Sequence, residues 1–205
     1  MKTERRKLAT GAEIKLLWHR RYRWNRRGAE RLVALVNEYG SPSMCEAIGL
    51  NGEQMILGGF ARRQFVLRDS HTRRYGGRRW EESQQNLDFI FERDGVAYGI
   101  EVKNTLSYMD EAEFDAKIRL CEHIRVRPVF AARMLPREWM MKLIGGGGYG
   151  MILKYQLYPW THVSLARRVA AELALPSQLS GVFRRSWRVG VNKALAINKH
   201  FQMCL

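Results

Sequence analysis

Apolar positions along the chain change rhythm twice. From residue 12 to 39 they recur at Ile14, Leu17 and Trp18, then at Leu32, Leu35 and Val36. That spacing predicts one long or broken helix with a weak point at Gly28. Gly40-Ser41-Pro42-Ser43 marks a turn. A short helix over 43–49 follows, and Asn51 can cap another running to about Arg62. Short helices in this order fit a helix-turn-helix. Strand-like runs come next, at Gln64–Arg68, Leu87–Phe91 and Val96–Val102, the last two joined through Asp94-Gly95. Asp-Gly between alternating runs is a strong hairpin signal. The remainder reads as a helix over 110–123, a strand over Pro128–Ala132 and a helix over 136–144. A glycine joint at Gly145–Gly148, a strand over Met151–Leu157 and helices over 162–173 and 178–199 complete it. No internal repeat is present. The four-glycine run lacks the Gly-Lys-Ser/Thr of a phosphate-binding loop.

Taking Asp94-Gly95 as a two-residue loop fixes the hairpin register, because every facing pair then sums to 189. Leu87 faces Val102, Phe89 faces Ile100 and Phe91 faces Tyr98, an apolar side that belongs to the core. On the other side Asp88 faces Glu101, Asn86 faces Lys103, Ile90 faces Gly99 and Glu92 faces Ala97. Carboxylates opposite one another, with Cβ atoms roughly 5 Å apart, destabilise a sheet unless a cation compensates. Two such groups suit a hard divalent ion such as Mg²⁺ or Mn²⁺. The Val102 carbonyl can add a ligand, and Lys103 would stand beside the metal to orient water or steady phosphate charge. A third acid from a helix would complete the site. Glu53 precedes Ile56, Leu57 and Phe60 at spacings of three, four and seven, on the apolar stripe. Glu30, near Val33 and Ala34, is the alternative.

Charge narrows the partner. In 205 residues, 35 Lys and Arg stand against 20 Asp and Glu, a net charge of +15. Residues 1–31 carry +8, residues 160–205 carry +6 and the middle only +1. Within the middle, His71 to Trp80 holds Arg73, Arg74, Arg78 and Arg79 around Gly76-Gly77 with no acid. Aromatic residues are interleaved with all three basic segments (Trp18, Tyr22, Trp24; Tyr75, Trp80; Phe183, Trp187). Arginines neutralise phosphates and rings stack on bases, so a nucleic acid is the expected partner. Arg184, Arg185 and Arg188 extend that surface along the last helix. Three scattered cysteines (Cys45, Cys121, Cys204) argue against a disulfide or zinc scaffold and for a reduced, intracellular compartment. No apolar run is long enough for a membrane span and no signal peptide is expected. His71, His123 and His162 share no ligand spacing and read as surface or loop histidines. Lys117 reads as an i,i+4 partner of Glu113 that could approach phosphate.

Asp88 followed by Glu101-Val102-Lys103, with a helix before and after, resembles the PD-(D/E)XK nuclease superfamily over roughly residues 51–157. The segment from Asn104 to Phe130 is similar to archaeal and viral members related to Holliday junction resolvases. Leu87 stands where many members have proline, and the loop 69–86 is longer than a minimal core needs. The resemblance implies an α/β fold of the restriction-endonuclease-like type, with an α-β-β-β-α-β core around a central mixed sheet. Residues 1–50 and 158–205 would be basic helical extensions. It implies Mg²⁺- or Mn²⁺-dependent hydrolysis of DNA phosphodiesters. Asp88, Glu101, Val102 and Glu53 would hold metal, Lys103 would position water, and Arg73, Arg74, Arg78 and Arg79 would grip the backbone. Junctions or branches are the favoured substrate, and a homodimer would supply two cuts. Alternatives are restriction- or transposon-type cleavage, or a non-catalytic nucleic-acid-binding subunit.

Overall fold

The computed structural model describes residues 1–105, 109–175 and 177–179. The elements in chain order are β1 (Lys2–Lys7), β2 (Glu13–Trp18), α1 (Arg26–Tyr39), α2 (Pro42–Arg62), β3 (Val66–Thr72), β4 (Arg74–Tyr75), β5 (Arg78–Arg79), β6 (Leu87–Arg93) and β7 (Val96–Lys103). They continue with α3 (Glu111–His123), β8 (Arg127–Ala132), α4 (Arg137–Gly145), β9 (Tyr149–Ile152), β10 (Gln156–Tyr158), α5 (Val163–Leu173) and β11 (Ser177–Leu179). The architecture is mixed α/β around a five-stranded sheet of order β3-β6-β7-β8-β9. β3, β6 and β7 are antiparallel, whereas β8 and β9 join parallel. A parallel join needs a crossover, and α3 supplies it between β7 and β8, α4 between β8 and β9.

The two faces of the sheet are covered differently. On one, Ile56 and Phe60 of α2 pack against Phe89, Phe91, Tyr98, Ile100, Val102, Val129 and Ala131. On the other, Leu120, Cys121 and Ile124 meet Leu87, Ile90, Trp80 and Val126. Burying each large apolar side chain contributes about 1.5–3 kcal/mol. Gly99 is required on this second face, since a Cβ there would lie 2.6 Å from Leu87 Cδ1 and 2.8 Å from Val126 Cγ2. A further cluster, with Leu35, Met44, Ile48, Tyr158, Leu165 and Val169, ties α1, α2, β10 and α5 together.

Several elements differ from the expectations. Residues 12–18 are not helical: β1 and β2 form an antiparallel hairpin, and the helix begins only at Arg26. Ile14, Leu16 and Trp18 alternate with Glu13, Lys15 and Leu17, and that period of two prevails over helical spacing. The short helices 43–49 and 51–62 are one helix. Pro42 sits at its first turn, where its missing N–H costs nothing. Asn51 does not cap: its side-chain amide donates to the Leu157 carbonyl at 3.0 Å. The helix-turn-helix expectation therefore fails in its predicted form, and a boundary at residue 50 would fall inside α2. Met151–Leu157 is two strands rather than one. Ser177–Leu179 is a short strand parallel to β10, not the start of a helix. The rest of the expected helix 178–199 lies outside the described residues, as do Arg184, Arg185 and Arg188.

Candidate metal centre

The β6–β7 hairpin carries the chemistry. Asp94 and Gly95 both have positive φ, +52° and +73°, as a two-residue turn of this hand demands. Its ladder keeps the expected pairing from Arg93↔Val96 to Phe89↔Ile100. Beyond Phe89 the alternation breaks. Leu87 packs with Ile90 on the α3 face, not with Phe89 on the α2 face. The expected Leu87–Val102 packing is therefore corrected, and Asp88 sits at the irregularity. Its carboxylate accepts a 2.6 Å hydrogen bond from the Val102 N–H.

Asp88 meets two side chains from other elements. One ligand atom each from Glu53 on α2, His71 on β3 and Asp88 lie within 4.8 Å of one another. His71 Nε2 is 3.9 Å from a Glu53 oxygen. Glu53 and Asp88 are half-buried and His71 is exposed, so the triplet opens to solvent. Burial raises the Asp88 carboxyl above its usual range, against the Val102 N–H and the pull of Lys117 and Lys103. Burial, and then the Asp88 charge, raises Glu53 as well. Two raised carboxylates with an imidazole alongside could hold a metal ion. An oxygen–oxygen–nitrogen set fits Mn²⁺ more readily than Mg²⁺, which prefers oxygen alone.

Glu101 lies beside this triplet, outside it. Buried at 2% exposure, its carboxylate accepts from Lys117 Nζ on α3 and stands 3.4 Å from Lys103 Nζ. Lys117, only 4% exposed, also donates to the Asn86 carbonyl at 2.9 Å. Lys103 is half-buried and reaches Glu113 at 2.9 Å, while Lys117 is 3.8 Å from the same acid. Burial and the neighbouring Asp88 push Glu101 up to about 7, although both lysines pull the other way. Burial alone would lower the Lys103 ammonium, but Glu101 and Glu113 outweigh it and raise it.

Of the expected site residues, the fold brings Glu53, Asp88, Glu101, Val102 and Lys103 to one end of the hairpin. Glu30 is remote from it in role: it pairs with Arg26 at 2.9 Å on α1. Two residues of the cluster take on roles that their sequence context does not announce. His71, expected as a surface or loop histidine, lies on β3, where Ser70 pairs with Phe89 and Thr72 with Leu87, so residue 71 falls beside Asp88. His71 also adopts φ +47°, a left-handed conformation uncommon in a strand. Lys117 keeps the expected i,i+4 neighbour Glu113 at 3.8 Å, but its burial and its contact with Glu101 depend on α3 packing over β7.

Arg73, Arg74, Arg78 and Arg79 flank or form the β4–β5 hairpin, turned by Gly76 and Gly77 at φ +56° and +77°. A groove of about 470 Å³ runs along it, lined by Arg68, Asp69, Arg74, Tyr75 and Arg78 among others. Arg73 is occupied with Ser83 and Gln84, whereas Arg74 and Arg79 are exposed and only loosely paired with acids at 4.0 and 3.9 Å. Among the described residues Cys45 and Cys121 are free thiols, and no helix is long and apolar enough to cross a membrane. Compared with known proteins, the chain matches no family model, no curated protein and no solved structure.

Proposed function

We propose that this protein is a divalent-metal-dependent DNA endonuclease of the PD-(D/E)XK type. The observation that carries the reading is the convergence of Glu53, His71 and Asp88, from three separate elements, next to the Glu101-Val102-Lys103 strand. The order α2, β3, β6, β7, α3, β8, with three antiparallel strands and then a parallel one, supports a restriction-endonuclease-like core. A bound Mn²⁺ or Mg²⁺ would supply Lewis acidity and an acidified water. Glu53, His71 and Asp88 would hold it. The Lys103 ammonium, half exposed and kept protonated by Glu101 and Glu113, would orient water or meet a phosphate oxygen. Arg74 and Arg79 would neutralise the DNA backbone, giving affinity and salt dependence without sequence choice. Branched DNA is the favoured substrate, on the resemblance to resolvases, with restriction- or transposon-type cleavage next. Paired cuts would take two copies of the chain.

The test is incubation with labelled duplex, single-stranded, forked and four-way-junction DNA in Mg²⁺, Mn²⁺ or EDTA. Metal-dependent cuts should vanish in Asp88→Asn, Glu101→Ala and Lys103→Ala. One observation favours a second reading, a nucleic-acid-binding subunit on a nuclease-like scaffold: Glu101 is neutralised by two lysines and does not join the triplet. Tight binding with no cleavage in any metal would select it.

A further inference from the structure

We infer that the N-terminal β-hairpin is a ribbon that lies in the major groove of duplex DNA. β1 and β2 pair in register from Lys2↔Trp18 to Lys7↔Glu13. Glu4, Arg6, Leu8, Ile14, Leu16 and Trp18 are half-buried, and Trp18 packs against Trp24 with the rings tilted by 32° and their centroids 4.1 Å apart. The alternate residues form an exposed face: Thr3, Arg5 and Lys7 opposite Leu17, Lys15 and Glu13. A two-stranded ribbon gains little stability from its own pairing. This one nevertheless sets Arg5 directly opposite Lys15, a like-charge pair that weakens a sheet, and offers Arg5 only Glu13 at 3.8 Å. An anion over that face would turn the repulsion into attraction.

The surroundings repeat the pattern. Arg20, Arg21 and Arg23 follow β2, all exposed. Arg26 and Arg27 open α1, whose first turn holds no acid, so they sit at the positive end of the helix dipole, where an anion rather than a cation is favoured. Arg26 has Glu30 as a partner, and residues 1–24 hold eight Lys and Arg against two Glu. The dimensions decide among polyanions. Six residues per strand make a ribbon about 20 Å long, and a two-stranded ribbon fits the roughly 12 Å major groove of B-form DNA. The deep, narrow major groove of duplex RNA would exclude it.

The ribbon is separate from the triplet, so its test omits metal. Anisotropy of a labelled DNA duplex in EDTA is measured from 0.05 to 0.3 M salt, together with dimethyl sulfate protection of guanine N7, an atom of the major groove. Arg5→Ala/Lys15→Ala should weaken binding about tenfold or more near 0.15 M salt. It should also flatten the slope of log K against log salt by about 2 and remove the N7 protection. Arg119→Ala/Arg137→Ala takes the same charge from exposed positions elsewhere and should do none of these. Equal effects from both pairs, absent N7 protection in the wild type, or equal affinity for duplex RNA would each overturn the proposal. Circular dichroism of both variants checks that they fold. A protein that binds through the ribbon yet never cleaves would sink the nuclease reading alone.

Discussion

Replacing Lys117 with Met tests whether the buried charges at the site are interdependent. Lys117 and Glu101 are 4% and 2% exposed and in direct contact. Taking away one partner of such a pair costs about 3–5 kcal/mol, and because Lys103 at 3.4 Å still compensates part of the Glu101 charge the low end of that range is expected. The Asn86 carbonyl loses its donor in the same step. For a chain of this size that is a fall in Tm of about 10 °C. The cost must depend on pH. In the folded wild type the Glu101 carboxyl already titrates near 7, against 4.5 when free, so the folded state binds the extra proton between those values. Its contribution to stability is therefore highest at low pH and falls as pH rises through 7. Without Lys117 the carboxyl rises further. At pH 5 Glu101 is neutral in the variant and the cost of Lys117→Met should shrink to about 1–2 kcal/mol, whereas at pH 8 it should be full. Lys117→Met/Glu101→Leu removes both charges and should recover most of the loss at pH 8. Urea denaturation of these three proteins and of Glu101→Leu at the two pH values measures the cycle. A cost that is the same at pH 5 and pH 8, or a double variant no better than the single, would refute the charge argument and leave only packing.

Mn²⁺ should raise the Tm of the wild type, and the increment should grow from pH 5 to pH 8, because Asp88 and Glu53, both raised, must lose protons to bind. Glu53→Ala, His71→Ala and Asp88→Asn should each abolish most of that increment in a thermal-shift titration, and a variant that keeps it is no ligand. Gly99→Ala should cost about 1–3 kcal/mol by chemical denaturation, since the added Cβ would also come within 3.1 Å of Cys121 Sγ. Asn104 is buried, donates to the carbonyls of Ile48 and Leu157 and accepts from the Leu157 N–H at 2.8–2.9 Å. Asn104→Leu takes the acceptor from the Leu157 N–H, while the Leu157 carbonyl keeps the Asn51 amide, and should lose about 1–3 kcal/mol. A loss below 1 kcal/mol would show that water replaces the amide.

The parts of the fold that were legible in the sequence are those whose geometry is local. Asp94-Gly95 dictated a turn, the turn dictated a register, and the register carried Asp88 and Glu101 to the same end of the sheet. The reading broke where a neighbour decides the outcome. Leu87 changes face to pack against Trp80 and the Leu120, Cys121 and Ile124 side chains, and no rule of alternation contains that. Ile14, Leu17 and Trp18 satisfy helical spacing while Ile14, Leu16 and Trp18 satisfy strand spacing, and the pairing with β1 settled the conflict. His71 and Lys117 became site residues only through β3 pairing with β6 and α3 covering β7. Each is ordinary within its own stretch of chain.

β3 is the outermost strand of the main sheet at one side and also the strand that carries His71. An outermost strand with Val66 and Leu67 at 51% and 44% exposure invites another chain to add itself by backbone pairing. Here the pairing slips between Leu67 and Asp69, Arg68 projects a charge held by Glu92, and His71 departs from extended geometry. These interruptions spoil a continuous template for growth in either direction. Straightening them, by a regular β-branched run over 68–71, would be expected to trade an accessible pocket for a self-associating chain, observable as light scattering that rises with protein concentration.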